Sequence, residues 1–383
     1  MANLFFVHTP MQLFMAQQII NQEGLKNNVM VYDYASFNAY YQVSYDLITI
    51  PEMWGKRVLN PVRLGWNMTK EKKHLIRSIK NIRKKVKELV KFVEDENTES
   101  IFLGDIKNSG YCLLAHIFFD KGIKVCFFEE GFSHYIWDVK QQSLPVRIKS
   151  IIIDAFIYYP LFRGFYENKV QFEDHNLNVI PQTVRYSLIP YYHEPFDKLI
   201  HTTLLLSPTL KIFLEDERKE IMKVGDIKNL VLFVNEDIKH FCSDINSKME
   251  ERLLKECVFK AVQKETLFLI KFHPAESKER REKVKKYFEN NKISYFVVSG
   301  DKNIPVEYYL QMYKFNTIFA YAMAVSFYNG YLFHYTPIVR LLDGLYQICK
   351  EIGIEGLVKL EGLIKRLDTV QEKLQKENKE HVG

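Results

Sequence analysis

The sequence predicts an α/β protein of two domains, each built on a mostly parallel sheet. Three observations lead there. Short apolar runs alternate with helical patterns from the first residues onward, which is the rhythm of βαβ units. The same rhythm restarts after residue 205, so domains are expected at 1–205 and 206–383. The chain has 383 residues, enough for two ordinary domains with sizeable cores. Two Rossmann-like domains of similar size would set two rows of strand ends facing a central cleft. Strand ends are where open α/β sheets carry ligands and catalytic groups.

In the first domain, residues 4–7 form a short apolar strand. Residues 11–20 are helical, with Pro10 suited to the first turn. Residues 29–32 and 47–50 read as strands. A basic amphipathic helix follows at 70–93. Its apolar positions Leu75, Ile79, Ile82, Val86, Leu89 and Val93 step by four and three, which is one helical stripe. A strand at 101–103 ends in Gly104-Asp105, which turns the chain into a helix at 111–119. The next apolar run, 123–128, delivers Glu129-Glu130-Gly131. From 138 to 208 the order of elements is not legible beyond a helix near 146–157.

In the second domain, a strand at 230–234 ends in Asn235-Glu236-Asp237 and is followed by a helix at 249–262. A strand at 267–271 leads to His273-Pro274, and a charged helix spans 278–288. Then come a strand at 295–298, a short helix at 305–312, a strand at 317–319, a helix starting near Ser326, and a charged helix from 360.

Composition narrows the function classes. An apolar fraction of 47% and a charged fraction of 26% belong to a folded globular chain rather than a disordered one. No apolar run reaches the length of a membrane helix, and the start lacks the pattern of a signal peptide, so a cytoplasmic protein is expected. The five cysteines form no CxxC pair and no zinc spacing, which points to buried free thiols. The net charge of +6 is uneven: residues 70–91 hold ten Lys or Arg against Glu71 and Glu88. A solvated face on a surface helix accounts for that run. The sharper reading is a peripheral contact with anionic membrane at the inner face of the cell membrane, or with an acidic acceptor. No reader motif for nucleic acid accompanies it.

Two motifs carry the chemistry. Glu130 follows a buried strand and precedes glycine, and the like charge of Glu129 raises one of the two pKa values, which suits a general base. A helix-capping carboxylate is the plainer role. His273 sits at a strand end beside Pro274, whose fixed φ restrains it. An imidazole there can donate a proton to a leaving group, or it can simply pack. His134 is a competing histidine. Ser326, after small residues, would bind phosphate or act as a plain N-cap. Glu307, after Pro305, would accept from ribose hydroxyls or complement the helix dipole.

Together these residues resemble the bacterial sialyltransferases, including the lipooligosaccharide sialyltransferases and the capsule polysialyltransferases. The shared signatures are an acidic-acidic-glycine motif, a His-Pro motif and a C-terminal serine motif. They match here Glu129-Glu130-Gly131, His273-Pro274 and Ser326, in the right order. The serine motif is often Ser-Ser, whereas Phe327 follows Ser326. The opening His8-Thr9-Pro10-Met11-Gln12 resembles the family's Thr-Pro-x-Gln start, and Pro305-Val306-Glu307 resembles its ribose-binding segment.

The resemblance implies a GT-B fold and an inverting, metal-independent transfer from CMP-sialic acid, with no cofactor. Glu130 would be the general base and His273 the general acid. Lys271, Pro274, Glu307 and Ser326 would bind the donor. Thr9, Gln12, Asp105, Asn108, Glu129 and Gly131 would line the acceptor side. The acceptor would be a galactose- or sialic acid-terminated surface glycan of lipooligosaccharide or capsule. The alternatives are a GT-B transferase with another nucleotide-activated donor, or a non-catalytic glycan- or nucleotide-binding protein.

Overall fold

The computed structural model describes residues 1–32, 46–59, 75–104, 109–128, 184–188, 197–236, 247–273, 276–300, 302–321, 336–354 and 357–381. The helices expected near 146–157 and from Ser326 lie outside them. The chain divides into two compact units. The first comprises Met1–Ala39, Thr49–Leu188 and Tyr192–Leu205; the second comprises Tyr40–Ile48, Ile189–Tyr191 and Leu206–Gly383.

The first unit holds strands β1 (Ala2–Val7), β2 (Asn28–Tyr32), β3 (Lys56–Leu59), β4 (Thr98–Leu103), β5 (Lys124–Phe128), β6 (Val184–Ser187) and β7 (Lys198–Leu199). They form one sheet in the order β3-β2-β1-β4-β5-β6-β7, and every pairing is parallel. Central β1 is buried along its whole length, as a strand covered on both faces must be. One face packs Leu4, Phe6, Val31, Ile101, Leu103 and Phe127 against helices α2 (Leu75–Asp95) and α3 (Ser109–Asp120). Phe5 points the other way, stacked on Phe102 at 4.1 Å and edge-on to Trp54 at 5.5 Å. Val86, Leu89 and Val93 of the predicted α2 stripe are buried, while Lys84, Lys85, Lys87 and Lys91 are exposed.

Helix α1 (Pro10–Glu23) starts where Thr9 Oγ1 accepts from Gln12 N and stops at Gly24, whose φ of +61° is left-handed. Its glutamines tie it to the surrounding backbone. Gln17 accepts from Ile50 N, Gln18 bonds both the N–H and the carbonyl of Thr203, and Gln22 joins Leu199 O to His201 N.

The expected strand at 47–50 is a correction. Residues 46–48 are helical, and a 3-10 turn follows at Pro51–Met53. The run is buried, but its backbone is committed elsewhere, Leu47 O to the Ser207 hydroxyl and Ile50 N to Gln17. The third strand is Lys56–Leu59, an edge strand whose first two residues are basic and exposed. Edge strands need no apolar run.

In the second unit, helix α4 (Pro208–Met222) precedes strands β8 (Asn229–Asn235), β9 (Thr266–Phe272), β10 (Tyr295–Val297), β11 (Thr317–Ala320) and β12 (Ile338–Arg340). Their order is β10-β9-β8-β11-β12, again wholly parallel. Among the described residues the other α-helices are α5 (Ser247–Leu253), α6 (Lys278–Asn290), α7 (Val306–Met312), α8 (Leu341–Glu351) and α9 (Val358–His381). Phe288 of α6 anchors this unit's core, with Phe233, Phe259 and Phe268 at 5.8, 5.1 and 5.4 Å. The single helix expected at 249–262 changes winding. After α5 the chain makes a π turn at Leu254–Val258 and a 3-10 turn at Phe259–Ala261. There Gly344 of α8 packs so closely that a Cβ on it would lie 2.5 Å from Cys257 Sγ. Cys126 and Cys349 are buried cysteines outside any disulfide, and Cys257 is a half-buried one. Among the described residues no helix is long and apolar enough to cross a membrane.

Gly104 closes β4 under a tight constraint. A Cβ there would lie 2.8 Å from Gln12 Cδ and 2.9 Å from Phe128 Cζ. Gly104→Ala is expected to lower stability by about 1–3 kcal/mol, read as a lower urea midpoint. An unchanged midpoint would mean that Gln12 and Phe128 move aside freely.

Candidate active site

The strand order of each sheet reverses once, next to its first strand. The switch points fall between β1 and β4 in the first unit and between β8 and β11 in the second. Ligands of open α/β sheets bind outside the carboxyl ends of the strands at such points.

At the first, the side chain of Gln12 spans the reversal. Its Oε1 accepts from His8 N (2.6 Å), just past β1, and its Nε2 donates to Gly104 O (2.9 Å), just past β4. Gln12 is fully buried. The predicted acceptor-side residues Thr9 and Gln12 therefore have structural work, one as a cap and the other as a strut. They shape the end of the sheet. Asp105, Asn108, Glu129, Glu130 and Gly131, and also His134, lie outside the described residues.

At the second unit's strand ends, charge is buried. Lys271, the penultimate residue of β9, is 6% exposed and donates from Nζ to Phe272 O (2.9 Å). Burial pushes its ammonium down to about 8; Arg281 acts in the same direction and Glu307, Glu217 and Glu276 oppose it. Glu307, in the first turn of α7, is equally buried. Burial raises its carboxyl pKa, against its own backbone N–H and Lys271. Lys271 and Glu307 thus share one electrostatic environment. Among the described residues neither makes a direct ion pair.

Glu217 of α4 flanks them. It accepts from Ser299 N (2.8 Å) and from the Tyr309 hydroxyl (2.7 Å), and burial raises its pKa against both bonds. Ser299 lies in the left-handed region at φ +68°, a strained conformation for serine that this bond holds just ahead of α7.

His273 follows β9. Its N–H donates to Asn235 O (3.0 Å), and its carbonyl accepts from Glu276 N (3.0 Å). Glu276 is buried and accepts from Asn235 Nδ2 and from Arg280 Nε (2.8 Å). Burial pushes its carboxyl up to about 7 despite Arg280. Arg280 also pairs with the buried Glu250 of α5. Pro274 and Ser326 lie outside the described residues. The structure therefore brings Lys271, His273 and Glu307 to the same unit's strand ends and adds Asn235, Glu276, Arg280 and Glu217, which the sequence reading did not assign. Asn235 had a signal, since it closes an apolar run. Glu217 had none, because residues 209–229 show no run or motif from which an element was assigned.

A family model described as Alpha-2,8-polysialyltransferase (POLYST) matches residues 3–341. Three solved structures are similar in backbone. The GT-B domain of a sialyltransferase from Photobacterium damselae is 11% identical, with 92% of this chain and 97% of that chain covered and a TM-score of 0.47. UDP-GlcNAc 2-epimerase from Methanocaldococcus jannaschii is 13% identical, with 96% and 92% covered and a TM-score of 0.46. Sucrose-phosphate synthase from Thermosynechococcus elongatus is 10% identical, with 99% and 98% covered and a TM-score of 0.44. No curated protein sequence gives a significant match.

The Glu276 carboxyl sets a pH dependence. Its pKa rises from 4.5 to about 7 on folding, so the folded state holds the proton more tightly than the unfolded chain. The stability it contributes is full below pH 4.5 and is lost as pH rises through about 7. Urea unfolding across this window should show a smaller loss for Glu276→Gln than for the unaltered protein. Equal losses would mean that this carboxyl does not carry the effect.

Proposed function

This chain belongs to the alpha-2,8-polysialyltransferase family, and from that footing we propose that it transfers sialic acid from CMP-sialic acid to a hydroxyl of a surface glycan, with inversion and without a metal. It is a glycosyltransferase, which sets aside the non-catalytic reading. Its two units would act as the halves of a GT-B enzyme. The family's description favours a sialic acid-terminated acceptor, as in a capsule polymer, over a galactose-terminated lipooligosaccharide.

The observation that carries the donor side is the Lys271–Glu307 environment. Buried charges are ordinarily paired. Two of opposite sign, at a strand end and in a helix's first turn, suit a donor that offers a phosphate to one and ribose hydroxyls to the other. In the proposed reaction Glu130 takes the proton from the acceptor hydroxyl as that oxygen bonds to the anomeric carbon of the sugar. The bond from that carbon to the phosphate oxygen breaks through an oxocarbenium-like state. His273 gives a proton or hydrogen bond to the departing phosphate, and Ser326 and Lys271 hold it. Pro274 restrains the His273 segment. Asp105, Asn108, Glu129 and Gly131 line the acceptor side, on the frame that Thr9 and Gln12 shape. The exposed Lys84, Lys85, Lys87 and Lys91 of α2 support a peripheral contact with anionic membrane.

Release of CMP from CMP-sialic acid, with EDTA present and with galactose- or sialic acid-terminated acceptors, tests the reaction. Acceptor-stimulated release matched by sialylated product is expected. Glu130→Gln and His273→Ala should each lower kcat by roughly 10²–10⁴-fold, and Lys271→Met should raise the donor KM by about 10-fold or more. Near-normal rates in both catalytic variants would sink the mechanism, and loss of activity in EDTA would sink its metal independence. Separately, replacing Lys84, Lys85, Lys87 and Lys91 together by glutamate should release the protein from phosphatidylserine vesicles while sparing turnover of a short soluble acceptor. Unchanged vesicle binding would leave that face merely solvated.

A further inference from the structure

We propose that Asn235, Glu276 and Arg280 form a latch that positions His273, an inference that rests on the reading of His273 as the general acid. His273 stands just past the last residue of β9, where a chain ordinarily leaves its ladder and gains freedom. Here both of its backbone polar groups are held. Its N–H donates to Asn235 O (3.0 Å), and its carbonyl accepts from Glu276 N (3.0 Å) and from Arg281 Nη2 (3.4 Å). Asn235 acts twice, holding His273 through its carbonyl and Glu276 through its side-chain amide. Glu276 in turn accepts from Arg280 Nε (2.8 Å). Arg280 then donates to Glu236 O (3.2 Å), just past β8, and to Glu250 on α5. One guanidinium thereby joins the end of β8, the segment after His273 and a neighbouring helix.

This is a poor way to gain stability. The side chains of Glu276, Glu250 and Arg280 are 0%, 2% and 12% exposed. Replacing such a buried ionic cluster with apolar residues of similar volume is often neutral or stabilising. What the cluster supplies is a fixed geometry, and a reacting group displaced by about 1 Å loses on the order of 10²-fold in rate. The cluster reaches the backbone of His273 through Asn235 and Glu276, while the seven paired positions of β8 and β9 hold the strands together without it.

The test is a double-mutant cycle on the full chain, with kcat, donor KM and thermal midpoints measured. Glu276→Ala should lower kcat by about 10²-fold with donor KM changed by no more than about 3-fold. Glu276→Gln keeps an oxygen for Asn235 and Arg280 and should recover kcat to within about 10-fold. Added to His273→Ala, Glu276→Ala should cost nothing further, because the residue it positions is already gone. An equal loss in both backgrounds would overturn the latch, as would a rise in donor KM with kcat unchanged. Near-normal kcat in His273→Ala alone would instead overturn the reading of His273 as the acid. Should Glu276→Ala fail to fold, Asn235→Ala removes the side-chain amide that holds Glu276, while keeping the backbone bond to His273, and is read the same way.

Discussion

All paired strands in each sheet run the same way, so the carboxyl ends of a sheet's strands share one edge. The rest of the structure depends on that constraint. Backbone groups leave the ladder there and need new partners. The chain meets the need through two buried amide residues, Gln12 and Asn235. Gln12 serves the end of β1 and the end of β4 together. Asn235 serves the end of β8 and the segment past β9. In the first unit the amide side chain itself bonds the freed backbone; in the second the Asn235 carbonyl takes the His273 N–H and its side-chain amide holds Glu276.

The two units solve this problem with different chemistry. The first relies on neutral amides, with Gln12, Gln17, Gln18 and Gln22 spread along α1. The second buries ions: Lys271, Glu307, Glu217, Glu276, Glu250 and Arg280. Neutral amides hold backbone without a large desolvation penalty, which suits a frame. Buried ions cost more and bind charge more strongly in their low-dielectric surroundings.

How far the sequence could be read depended on whether local pattern or long-range pairing decided an element. Strands β1, β2, β8 and β9 were legible because central strands covered on both faces are continuous apolar runs. The stripe of α2 was legible because its period belongs to the helix itself. Residues 47–50 misled for the same reason that the others succeeded: they are apolar and buried, but their backbone bonds go to Gln17 and Ser207. Of the four edge strands, β3, β7 and β12 are short and carry no apolar run to mark them, whereas β10 was legible from its run at 295–298. The helix expected at 249–262 lost its regular winding where α8 packs on it through Gly344.

By itself the sequence determined the α/β class, the central strands, the proline start of α1 and the short motifs that mark the family, because each follows from a local run, a period or a few adjacent residues. Tertiary structure alone decided that Gln12 is a strut, that Lys271 and Glu307 share one buried environment, and that Glu276 and Arg280 gather round His273. Those facts depend on desolvation and on partners far apart in the chain. A charge looks the same in sequence whether it is solvated or buried, and only the fold determines which it becomes.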